Sequence, residues 1–155
     1  MATFNKFNCF VEDVAEGSHD FANDTLMVLL TNTAPNAADT LVDTTDTTCT
    51  VEATSNAAEI AAGNGYTKKG NAASLTTSSQ TSGTYKLVLA DPATWTASGG
   101  TIGPFQYAVL YNDTKKTTST RPPIGWWNYG SAVTLQVGET FKVDFDAGTG
   151  VLTIA

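Results

Sequence analysis

The sequence predicts an all-β fold, mainly an antiparallel β-sandwich or barrel, with one short N-terminal α-helix. Three observations carry this. First, 41% of the 155 residues are hydrophobic and only 15% are charged. The polar remainder is mostly Thr, Asn, Ser and Gly, which suits short strands joined by turns better than long charged helices. Second, short apolar runs recur between clusters of Gly, Pro, Asn and Asp. Third, Phe105 to Tyr129 holds two aromatic runs, Phe105–Tyr111 and Ile124–Tyr129, around a polar loop that ends in Arg121-Pro122-Pro123. That arrangement reads as an antiparallel hairpin with a long, mobile tip. Each large aromatic there removes roughly 150–250 Å² from water, so the hairpin anchors the core.

Taken in order, the elements support one β-rich domain over residues 1–155, a length that buries a substantial core. Phe4, Phe7, Val11 and Val14 recur at helical spacing with Phe10 beside them, which predicts a helix over 4–16, with Thr3 as N-cap and Gly17 as stop. So short a helix needs its Phe face docked, on the sheet or on a neighbouring subunit. The unbroken run Leu26–Leu30 predicts a strand buried on both faces. The Thr- and Asp-rich stretch from Asn32 to Ser55 offers little to bury and reads as an exposed loop or edge strand. It is a candidate for flexibility or partner contact. Ala57–Ala62 suggests a single helical turn ended by Gly63-Asn64-Gly65.

Ala72–Gln80 and Thr84–Ala90 form a hairpin about Thr81-Ser82-Gly83, the second strand alternating through Tyr85, Leu87 and Leu89. Trp95 runs into the Ser98-Gly99-Gly100 turn. Ala132–Val137 and Thr140–Phe145 suggest a second hairpin about Gly138-Glu139, and Val151–Ile154 a last strand.

Charge excludes some functions. The net charge is −7 and the pI about 4.4. A direct nucleic-acid partner needs a basic face, so none is expected. No apolar run reaches transmembrane length, so no membrane partner is expected. The N-terminus lacks the pattern of a signal peptide, which implies synthesis in a cytoplasm. Cys9 and Cys49 match no CxxC spacing and read as two small thiols; a disulfide between them would be unusual in a cytoplasm.

Chemistry is sparse. His19 is the sole histidine. Its neighbours Ser18 and Asp20 adjoin it in sequence without supplying triad geometry, and it reads as a turn residue. Asp144 and Asp146 share a strand face and, with Asp39, Asp43 or Asp46, could present oxygens to Ca²⁺, but alternating acids on a solvent face are common and no EF-hand spacing is present. Gly63-Asn64-Gly65 lacks the context of a phosphate loop. No catalytic residue, cofactor or metal site is predicted, and the chain does not read as an enzyme. Trp95, Trp126 and Trp127 could serve as sugar-stacking platforms, but they sit inside strand patterns and read first as core. Two basic pairs, Lys68-Lys69 and Lys115-Lys116, read either as solubilising charge or as contacts to an acidic partner.

Several segments together resemble a family. They are Phe4-Asn5-Lys6-Phe7 with Phe10-Val11-Glu12-Asp13, the stretch Leu29–Pro35, Glu59–Tyr66, and the hairpin from Tyr107–Asp113 to Gly125-Trp126-Trp127. They are similar to a family of small proteins encoded among the virion genes of tailed bacteriophages, and the likeness weakens over Asn36–Asn56. Its motifs look structural, with no active-site residues to carry over. A small acidic β domain of this kind resembles a capsid decoration (cement) protein. That resemblance implies a place on the capsid exterior, the major capsid protein as partner, and self-association there, with a trimer as one form. Candidate contact residues are Phe4, Phe7, Phe10 and Val11 of the N-terminal helix and Lys68, Lys69, Lys115 and Lys116. The Asn36–Asn56 loop and the Asn112–Thr120 tip are further candidates. The alternatives are a tail tube or tail-tip subunit, or a virion domain that binds host-surface glycans.

Overall fold

The computed structural model describes residues 2–44, 49–114 and 120–155. Along the chain run β1 (Phe4–Lys6), α1 (Cys9–Ala15), β2 (Leu26–Thr31), β3 (Leu41–Asp43), β4 (Thr50–Glu52), β5 (Ala57–Ala58), β6 (Asn71–Ala73), β7 (Leu75–Thr81) and β8 (Thr84–Leu89). There follow β9 (Trp95–Thr96), β10 (Ile102–Asn112), β11 (Thr120–Arg121), β12 (Pro123–Leu135), β13 (Thr140–Phe141) and β14 (Leu152–Ile154). The fold is all-β with a single short helix among the described residues, as expected, and every strand pair is antiparallel.

A five-stranded central sheet, ordered β1-β12-β10-β2-β6, carries the aromatic hairpin as its two longest strands. Its residues alternate between two cores, as the period of two in a strand requires. Leu26, Val28, Leu30, Leu110 and Ile124 face the larger core, with Phe10 of α1, Leu87 and Leu89 of β8, and Trp95 of β9. Leu29, Val109 and Tyr111 face the other core, with Phe7. There a four-stranded sheet, β11-β3-β4-β5, lies against them and contributes Val42, Val51 and Ala57, each fully buried. The Leu26–Leu30 run is apolar throughout because both its faces are covered.

Four expectations need correction. Residues 4–6 form strand β1 on the edge of β12, and the helix is confined to Cys9–Ala15 with Asn8, not Thr3, at its N-cap. The i, i+3 spacing of Phe4 and Phe7 is satisfied by a strand and a turn. Phe4 packs on Trp127 at 5.1 Å between ring centroids and Phe7 on Trp126 at 4.6 Å. Gly125 makes that approach possible: a Cβ there would lie 2.3 Å from the Phe4 ring and 2.6 Å from Asn5 O. Gly17, at φ +73°, ends the helix as expected.

The Asn32–Ser55 stretch builds part of the second sheet and its core. Ala57–Ala58 is strand β5 rather than a helical turn. Thr140–Phe141 pairs with Trp95–Thr96, so the proposed second hairpin does not form; β12 instead runs on to Leu135. Of the expected Asn112–Thr120 tip, residues 115–119, with Lys115 and Lys116, lie outside the described residues, as does Asp46.

Candidate functional site

A groove of about 300 Å³ lies between the central sheet and the segment that follows β13. The segment exists because Phe141, Val143 and Phe145 alternate with Lys142, Asp144 and Asp146, so the chain stays extended with one apolar face. It lies over the sheet without joining a strand ladder beyond Phe141. Asp91 fastens it: one carboxylate oxygen meets Lys142 Nζ at 2.7 Å and the other accepts from Phe145 N at 2.7 Å. The Lys142 ammonium and then the Phe145 N–H hold the Asp91 carboxyl below its usual range.

Aromatic rings form both walls. Trp127 stands 5.1 Å from Phe4 and 5.4 Å from Phe145. Phe141 stands 4.7 Å from Phe105 and 5.8 Å from Tyr129. Tyr129 is 60% exposed, although it is large and apolar. Lys142, Asp144 and Asp146 set charges of both signs on the rim. The lining has no His, Cys or Ser, so it offers ring faces and rim charges, which suit recognition. No family model, no curated protein and no solved structure matches the chain.

The buried ionisable groups hold the fold together. Asp39 is fully buried and accepts from the backbone N–H groups of Asn36 (2.8 Å), Thr54 (2.8 Å) and Ser55 (2.7 Å), and from the Ser55 hydroxyl. Glu59 accepts from Cys49 N at 2.8 Å, Lys69 N at 2.9 Å and Tyr66 Oη at 3.1 Å. Tyr66 Oη in turn accepts from Leu30 N at 3.1 Å, and burial, then Glu59, raises its pKa. Arg121 is buried against Asp113 and Thr44. A buried carboxylate that satisfies several main-chain donors ties loops to strands.

The sequence-predicted residues fare unevenly. Phe7 and Phe10 are buried within the chain's own cores, and Phe4 packs on Trp127 at the groove. Their burial removes Phe7 and Phe10 as contact residues; Val11 alone of that set is exposed, at 55%. Lys68 Nζ donates to Thr44 O at 3.2 Å, and Lys69 Nζ meets Asp113 at 3.4 Å, so both basic side chains bond within the chain. Trp95 is buried and Trp126 packs on Phe7, which leaves Trp127 as the Trp on the groove.

His19 stacks on Phe21 at 5.1 Å with Nδ1 3.2 Å from Asn112 Nδ2, and burial lowers its pKa from 6.5 to about 4. Cys9 and Cys49 are free thiols, both pushed up to about 12, chiefly by burial. Among the described residues no three His, Cys, Asp or Glu side chains gather as a metal site. Asp39 is committed to backbone donors, and Asp146 accepts from Gly148 N at 2.7 Å.

Sequence reading missed the groove. Its signal lies in the alternation of residues 141–146, which by itself fits a hairpin strand equally well.

Proposed function

We propose that the protein is a structural component of a tailed-phage virion, a capsid decoration or cement protein that bridges major capsid protein subunits on the outside of the shell. It works by surface contact, with no chemical conversion. The observation that carries this reading is the division of labour among the side chains. Asp39 and Glu59 are spent on main-chain donors, whereas the aromatic groove with Tyr129 on its wall is left open. The resemblance of the aromatic hairpin to phage virion proteins supports the same assignment.

The groove's occupant in this reading is an extended segment of the capsid protein. Three features favour it: apolar walls for alternate side chains, rim charges of both signs, and main chain at 142–144 that no strand among the described residues engages. Open aromatic faces also favour a second reading, a glycan-binding virion domain, since Tyr129 and Trp127 flank the same space.

Co-sedimentation with preformed heads, with isolated tails and with polysaccharide separates these readings. The decoration reading predicts binding to heads alone. Tyr129→Asp should abolish that binding, while Val137→Asp, an equally exposed site outside the groove, should leave it intact. Binding to tails alone, or to sugar alone, would replace the assignment.

A further inference from the structure

Eight strands form the sheet edges among the described residues, and seven of them are three residues long or shorter. The exception is β7, with seven residues, hydrogen-bonded to β8 on one side and to no strand on the other. Six of its seven side chains are exposed. Proteins guard long edges with charge, proline or bulges, because a free row of N–H and C=O groups is a template for another strand. Here no charged residue or proline occurs from Gly70 to Tyr85, although the chain carries a net charge of −7. The register shift between Leu75 and Thr77 leaves Thr77–Thr81 regular.

We propose that β7 is a self-pairing edge. It adds antiparallel to β7 of a second copy about a two-fold axis at Ser79, joining two three-stranded sheets into one. Two features select a copy of this chain as the occupant. An acidic protein repels its own copies wherever its surface is charged, and this edge carries no charge. A two-fold axis also makes the edge its own complement: Thr77 meets Thr81 of the second copy, and hydroxyl-bearing pairs of this kind stabilise antiparallel ladders. So short an interface falls below about 1,200 Å², so the dimer is weak and populates only at high protein concentration. The pairing does not depend on where the protein works.

Sedimentation equilibrium over a concentration series tests it. The wild type should shift from monomer to dimer. Thr77→Lys/Thr81→Lys and Thr77→Glu/Thr81→Glu each set like charges across the axis and should remain monomeric. Within the chain these positions lie opposite Val88 and Thr84, with Lys86 of β8 diagonal to both, so the Glu pair gains an attraction and the Lys pair a weak repulsion that exposure to solvent keeps small. Mixing the two variants should restore a dimer, and far-UV circular dichroism and thermal unfolding should match the wild type. A wild type that stays monomeric throughout overturns the proposal. So do charged variants that dimerise alone, or a mixture that does not.

Discussion

The central sheet and the smaller sheet β11-β3-β4-β5 bury their interiors by different means. The central sheet uses apolar and aromatic side chains along long strands: Leu26 to Leu30 on β2, Phe105 to Tyr111 on β10, and Ile124 to Trp127 on β12. The smaller sheet has strands of three residues or fewer, with Val42, Val51 and Ala57 as its buried apolar residues. What holds it is polar. Asp39 gathers three backbone N–H groups from either side of β3 and β4, and Glu59 connects Cys49, Tyr66 and Lys69. A segment poor in hydrophobic residues can still close a core if its few apolar groups all point one way and buried carboxylates satisfy the loops.

That contrast can be broken by substitution. The largest effect is expected from Asp39→Ala, which takes the shared buried acceptor away from three main-chain donors and the Ser55 hydroxyl. Each unsatisfied donor costs about 1–3 kcal/mol, so a loss of about 4 kcal/mol is expected in urea unfolding. Asp144→Ala, on an exposed side chain, should change stability by less than about 0.5 kcal/mol. Equal effects from the two would mean that Asp39 does not organise the small sheet.

Truncation of apolar residues sharpens the comparison. Leu110→Ala in the central sheet should cost about 3 kcal/mol. Val51→Ala should cost about 2 kcal/mol, because it deletes two buried methyl groups from the second core. A Val51→Ala cost near zero would reduce the small sheet to a surface loop.

The smallest effect concerns pH. Burial between aromatic rings holds His19 neutral down to about pH 4, whereas the unfolded chain protonates it near 6.5. Between those values the unfolded state binds the extra proton. Stability from this group is therefore full above about pH 6.5 and is lost as pH falls toward 4. Part exposure of the ring limits the loss to about 1 kcal/mol. It should appear as a pH slope in the wild type that His19→Gln lacks.

The same contrast explains what could be read from the sequence. The central hairpin, the doubly buried Leu26–Leu30 strand, the β7–β8 hairpin and the last strand were legible because apolar period and turn residues agree there. Asn32–Ser55 was not, because Asp39 looks like a surface residue until its distant donors at Thr54 and Ser55 are in place. The first strand was hidden for a similar reason. Phe4 and Phe7 fit helical spacing locally, and only the side-chain-free position at Gly125, far along the chain, admits Phe4 as a strand residue. The groove was half legible. The facing of Phe141, Val143 and Phe145 was correct, but Phe141 pairs with Trp95 and all three side chains lie over the central sheet, with no ladder to Ala132–Val137. The Asp91 clasp that holds them there is non-local.

The proposed role is to fit the aromatic groove to a neighbour on a capsid. Cryo-electron microscopy of the intact particle tests this most directly. The account predicts copies on the exterior of the head, with Tyr129 and the Phe141–Phe145 segment turned toward the shell. Heads whose exterior carries no copies, with the chain found only in the tail, would contradict it.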